Sequence, residues 1–205
     1  MKPWFYAFAK VLVRILFAIV YPLRMVGADN LPASGAAILC GNHKSLLDPL
    51  AAAVSVARPV RFMGKIELFR MPVVRTLILA LGGFPVDRGN TDMTAVRTSL
   101  SILKEGGVLG IFPQGGREVA GYRGMETGVA LIALKSGAPV VPMRFLHKFR
   151  PFHRNTLIIG EPVDLSAFSI RGGSEALNKA TQEIEAAVAA LGGQENHYGA
   201  DRVEK

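Results

Sequence analysis

The sequence predicts a single-domain α/β fold, and three observations lead there. Short apolar runs bounded by turn formers alternate with amphipathic stretches of helical period. Glycine or proline punctuates nearly every change of period. The 205 residues, half of them hydrophobic, are enough to bury one sizeable core.

The chain opens on an almost wholly apolar segment, residues 3–23, PWFYAFAKVLVRILFAIVYPL. It is too charged and lacks the small-x-small cleavage pattern of a signal peptide, since Lys10 and Arg14 interrupt it. Its length suits a membrane span, but each charge near a bilayer centre costs about 3 kcal/mol. Lys10 and Arg14 lie four apart and share one helix face, while Trp4, Phe5, Phe8, Val11, Leu12, Ile15 and Ile19 cover the rest. The segment therefore reads as an interfacial helix whose basic face meets headgroups. A domain boundary is expected near residues 27–34, GADNLPAS, where turn formers gather. This divides the chain into a membrane-associated helical segment (1–26), a globular domain (27–192) and a polar tail (193–205).

Within the domain, residues 36–41 read as a buried strand and 46–56 as a helix stopped by Pro59. A second strand spans 60–63. Broken helices fill 65–81, with Pro72 as a helix start. A short strand at 84–86 leads into Asp87-Arg88-Gly89-Asn90. Met93, Val96, Leu100 and Leu103 give 92–104 a helical stripe that Gly106-Gly107 ends. Strand 108–112 runs into the turn 113–117. A helix at 126–136 ends at Gly137, strands follow at 140–143 and 156–159, and a final amphipathic helix covers 173–191. The pattern leaves strand directions open.

The formal net charge is +8, from 24 Lys and Arg against 16 Asp and Glu, and the mean hydropathy is +0.29. A basic excess points to an anionic partner, and its company with high apolarity favours a membrane surface over nucleic acid. The single cysteine, Cys40, excludes an intrachain disulfide and a cysteine-based zinc cluster. Cys40 lies in an apolar strand and reads as a core residue rather than a nucleophile. The Ser-hydrolase elbow is absent. The run Arg144–Arg154 interleaves basic and aromatic residues, which suits single-stranded nucleic acid, anionic headgroups or a solvated loop. His147 and His153 lack acidic or cysteine partners at metal spacing, so no metal is expected.

Chemistry concentrates at strand ends, as α/β folds favour. In Gly41-Asn42-His43-Lys44-Ser45-Leu46-Leu47-Asp48, His43 can take a proton from an alcohol, and Asp48 can hold its other ring nitrogen. The same pair also suits a plain capped helix start. In Phe112-Pro113-Gln114-Gly115-Gly116-Arg117, glycines let a backbone approach a ligand and Arg117 can grip a phosphate bidentately. In Gly82-Gly83-Phe84-Pro85-Val86-Asp87-Arg88-Gly89, Arg88 is either a second phosphate ligand or the partner of Asp87. Val141-Pro142 completes the set.

The order His43-(four)-Asp48, Gly83…Arg88, Phe112-Pro113-x-Gly115-x-Arg117, Val141-Pro142 resembles the glycerolipid acyltransferase family, over about residues 25–165. The resemblance implies a mixed sheet flanked by helices, with N-terminal helices docked on the membrane. It implies that His43 is general base on the acceptor hydroxyl, supported by Asp48, and that Arg88 and Arg117 bind the acceptor phosphate with Gln114 and Gly115 beside them. Acyl-CoA or acyl-carrier protein is the implied co-substrate, and no cofactor is expected. The implied reaction acylates the sn-2 hydroxyl of 1-acyl-glycerol-3-phosphate, a lysophospholipid, at the cytoplasmic face of a membrane, in phospholipid biosynthesis; the alternatives are another lysolipid or glycerol-3-phosphate as acceptor, or a catalytically impaired lipid-binding member of the fold. No nucleic acid is an expected partner. The chain departs from the family pattern in three places. Gln114 stands where glutamate is usual. Gly116 and Glu118 replace threonine and serine. Met125-Glu126-Thr127-Gly128 stands where a phenylalanine and lysine are usual, which removes that substrate contact or moves it to Arg123.

Overall fold

Alternate residues of the strand Ala37–Gly41 are committed to opposite apolar layers, and the architecture follows from that. The computed structural model describes residues 3–87, 92–114 and 124–194. Its helices are α1 (Pro3–Ile19), α2 (Asp48–Ser55), α3 (Pro72–Ala80), α4 (Met93–Lys104), α5 (Gly128–Ser136) and α6 (Gly173–Ala190). Its strands are β1 (Leu23–Val26), β2 (Ala37–Gly41), β3 (Val60–Lys65), β4 (Phe84–Val86), β5 (Val108–Ile111), β6 (Val140–Phe145) and β7 (Asn155–Ile159).

One seven-stranded sheet has the order β1-β7-β6-β2-β5-β3-β4. Every neighbouring pair is parallel except β6–β7. Parallel neighbours need a crossover, which the intervening helices supply, whereas the connection from β6 to β7 is short and returns antiparallel. The sheet is therefore mixed, as the family resemblance implied. Ile38 and Cys40 of β2 face a core shared with α4, α5 and α6. Ala37 and Leu39 face the other, with Ala51, Ala52 and Val54 of α2 and Phe17 of α1.

The N-terminal segment differs from its sequence reading in two ways. Helical structure does not run through residue 26. It ends at Ile19, just ahead of Pro22, which has no N–H to continue it. Leu23–Val26 then becomes an edge strand in parallel register with Asn155–Ile158. The second difference concerns orientation. The basic face of α1 is tied to α2: Lys10 is partly buried, and Arg14, though exposed, also reaches a carbonyl of that helix. Lys10 Nζ donates to the carbonyls of Val56 and Ala57, and Arg14 donates to Val54 O at 3.4 Å. These oxygens cluster at the carboxyl end of α2, where unpaired carbonyls and the helix dipole attract cations. Burial, followed by the nearby Arg14, pushes the Lys10 pKa down. The face turned away from the protein carries Trp4, Phe8, Val11, Leu12, Ile15 and Ile19, all exposed. Among the described residues no helix is long and apolar enough to cross a membrane.

Candidate active site

β2, β5, β3 and β4 run parallel, so the segments that follow them leave from one edge of the sheet. The described parts of three of the four sequence motifs lie there. Gly41 permits the close pairing of β2 with β6, because a Cβ at that position would collide with the side chain and carbonyl of Met143. Asn42 then extends the sheet by its side chain: Nδ2 donates to Phe145 O at 3.0 Å and Oδ1 accepts from Phe145 N at 2.8 Å. That double bond fixes where the next residue, His43, projects.

His43 Nδ1 lies 2.8 Å from Asp48 Oδ2. The same oxygen accepts from the backbone N–H of Lys44 at 2.6 Å and of Ser45 at 2.7 Å. Asp48 is fully buried and opens α2, so the helix N-terminus adds favourable potential to its carboxylate. A carboxylate can only accept, so the proton sits on Nδ1 and leaves Nε2 with its lone pair. The imidazole stacks on Phe112 with centroids 4.6 Å apart, and Phe112 stacks on Phe62. The ring is therefore held on one edge by an acceptor and on one face by an aromatic slab. A base that is already oriented loses little entropy at the moment of reaction.

Gln114 Oε1 accepts the backbone N–H of His43 at 3.1 Å. The side chain at the family's usual glutamate position thus ties the third motif to the first, using an oxygen that an amide and a carboxylate both possess. Arg88, Gly115, Arg117 and Arg123 lie outside the described residues. β4 carries the chain to Asp87, and Gln114 is the last described residue ahead of Gly115.

A cavity of about 610 Å³ opens beside His43. Leu46, Leu50, Phe62, Leu77 and Leu81 are among its apolar walls, and Tyr6, Ala9, Lys10 and Val13 of α1 line it as well. Tyr6 is buried there and its hydroxyl accepts the Val60 N–H at 3.1 Å. A cavity with His43 and two lysines on its lining and otherwise mostly apolar walls suits an apolar substrate with a polar, anionic reacting end.

Sequence reasoning missed Lys65. It ends β3, lines the cavity, pairs with Glu67 at 3.0 Å and stands in register with Val86, two residues short of Arg88. A cation at a strand end beside a glycine- and arginine-bearing turn was the available signal. Cys40 is excluded as a nucleophile: burial in β2 pushes its thiol pKa up to about 12. Among the described residues no group of three or more His, Cys, Asp or Glu could hold a metal ion.

Comparison with known proteins places this geometry in a family. The acyltransferase family model matches residues 22–146, most of the chain. A 1-acyl-sn-glycerol-3-phosphate acyltransferase of Bacillus subtilis is 26% identical over 193 residues, covering 88% of this chain and 96% of the relative. A protein of the same name from Borreliella burgdorferi is 29% identical over 136 residues, and the match spans about half of that longer relative. The crystal structure of the 1-acyl-sn-glycerophosphate (LPA) acyltransferase PlsC from Thermotoga maritima superposes with a TM-score of 0.70 at 27% identity, covering 98% of this chain and 80% of that one. With its family-model match, sheet topology and order of motifs in agreement, the chain belongs to the acyltransferase family.

Proposed function

We propose that this acyltransferase moves a fatty acyl group from a thioester donor to the sn-2 hydroxyl of 1-acyl-glycerol-3-phosphate at a membrane surface, forming phosphatidic acid for phospholipid synthesis. The observation that carries the reading is the His43–Asp48 pair beside a mostly apolar cavity of about 610 Å³. The names of the Bacillus and Thermotoga relatives support the acceptor.

In the proposed reaction, His43 Nε2 takes the acceptor's hydroxyl proton as its oxygen attacks the thioester carbonyl. The new C–O bond forms, the C–S bond breaks, and the leaving thiolate receives the proton back from His43. Asp48 stabilises the transient imidazolium. No covalent acyl-enzyme is required, because a thioester is already activated. General-base assistance contributes ~10²–10⁴-fold, and holding both reactants in place contributes more. Arg88 and Arg117 are the proposed ligands of the acceptor phosphate, joined by Lys65 at the cavity mouth, and a backbone N–H near Gly115 is the proposed oxyanion donor. The proposed donor is acyl-CoA or acyl-carrier protein. The exposed apolar face of α1 seats the protein on the bilayer as a peripheral enzyme.

The test is acyl transfer from acyl-CoA, then from acyl-carrier protein, to lysophosphatidic acid in detergent. Wild type should turn over, and His43→Ala should lose nearly all activity while binding vesicles as before. Full turnover in the variant would remove His43 as base. An inactive wild type that acylates glycerol-3-phosphate or a different lysolipid would reassign the acceptor.

A further inference from the structure

The loop between β6 and β7 is not part of the catalytic site, yet it is built with care. Asn155, itself buried, accepts from the Arg150 backbone N–H at 2.9 Å and donates to the carbonyls of Arg150 and His153 at 3.2 and 2.7 Å. Phe149 turns inward and packs on Phe17, Tyr21 and Phe145. Phe152 turns outward: it is 74% exposed and holds a left-handed backbone at φ 59°, a conformation unfavourable for an aromatic residue. Its N–H donates to Val20 O at 2.6 Å, one residue past the exposed Ile19 of α1. Lys148 and Arg150 are exposed beside it. The sequence holds no acidic residue between Glu126 and Glu161, and none before Asp29. Two acid-free segments therefore meet at this point, one with an apolar stripe and one with cations around a projecting ring.

Resting on the membrane-surface reading above, we propose that residues 146–154 form a second membrane contact, specific for anionic lipid, with Phe152 inserted at the headgroup level and Lys148 and Arg150 on headgroup phosphates. Aromatic rings favour that depth, and cations near an anionic leaflet gain from its potential. A bilayer fits better than single-stranded nucleic acid, which needs a run of stacking rings. Only Phe152 of the loop's two phenylalanines is at the surface, and its neighbour across the Val20 bond is aliphatic Ile19. The loop also leaves the sheet edge that carries His43, to which Lys44 Nζ ties it through Leu146 O at 3.0 Å. Docking there would bring the catalytic edge to the bilayer.

Flotation of the full chain tests this with two vesicle types, phosphatidylcholine alone and equal parts phosphatidylcholine and phosphatidylglycerol. Wild type should prefer the anionic vesicles. A variant carrying Lys148→Gln and Arg150→Gln should lose on the order of 20-fold in affinity for them at low salt, about five-fold per charge, with neutral vesicles bound as before. Phe152→Gly, which suits the left-handed backbone, should weaken binding to both. Transfer activity in neutral detergent should stay at the wild-type level in all variants, so an enzyme of some other specificity would leave this result standing. Equal binding of wild type to the two vesicle types would overturn the proposal. So would unchanged anionic preference in the double variant, or loss of oligouridylate binding with vesicle binding intact.

Discussion

At the residue scale, the site is an arrangement of acceptors. Asp48 Oδ2 receives the His43 ring and two backbone N–H groups, and Gln114 Oε1 receives the N–H of His43. The departure at Gln114 is therefore expected to be mild, because the oxygen used is common to glutamine and glutamate. Gln114→Glu should hold kcat/KM within a few-fold of wild type. Gln114→Leu leaves the half-buried His43 N–H without a partner, an effect of ~1–3 kcal/mol, and should lower kcat by 10-fold or more. Steady-state kinetics of the pair separates a positioning bond from an ion pair with arginine, since the latter would make Gln114→Glu markedly faster. The histidine, the aspartate and their spacing were legible in the sequence. Phe112 as a slab under the ring was not, because stacking depends on how β5 sits beside β2.

At the element scale, amphipathic period located the helices well but said nothing of their surroundings. For α1 it separated a basic from an apolar face, and the carbonyls of α2, far away in sequence, decided which turned inward. Removing residues 1–24 would strip a cavity wall and the buried Phe17 as well as the apolar face. Surface substitution is cleaner: Trp4→Ser, Phe8→Ser and Ile15→Ser together should release the protein from neutral vesicles without altering its unfolding midpoint. Continued flotation would remove α1 as anchor. A second element, α4, is started by Asp92, whose Oδ1 accepts from Thr94 N and Ala95 N and whose Oδ2 accepts from Asp87 N. These backbone donors, Asp87 foremost, hold its pKa below the ordinary carboxylate value. A depressed carboxyl pKa stabilises the fold in full above its unfolded value near ~4 and loses that contribution as pH falls through the folded value. Asp92→Ala should cost ~1 kcal/mol at neutral pH, with the gap from wild type closing in strong acid. Denaturant melts at several pH values measure this, and a constant gap would refute the assignment.

At the scale of the whole molecule, α1, α2, α3 and β3 together enclose the apolar cavity behind His43, and no single segment contains it. If it holds the donor's acyl chain, its walls limit chain length. Ala9→Phe on α1 should shorten the usable depth. Each methylene left unburied forfeits ~0.8 kcal/mol, so two should move the preference toward shorter thioesters by about 10-fold. Competition between acyl-CoA lengths measures the shift, and an unchanged profile would place the chain elsewhere.

The sequence by itself determined the α/β class, the order of strands and helices after residue 36, and the chemistry available at the ends of β2, β4 and β5. Those features are local: side-chain period, turn residues and motif spacing express them within a few residues. Tertiary structure decided the rest. It made Leu23–Val26 an edge strand, set β6 against β7 in antiparallel register, tied Lys10 and Arg14 to the carbonyls of α2 and brought Tyr6 to the wall of the cavity that His43 lines. Each of these depends on a hydrogen bond or packing contact between residues distant in the chain, and a linear pattern carries no information about which distant partner a face or an edge will meet.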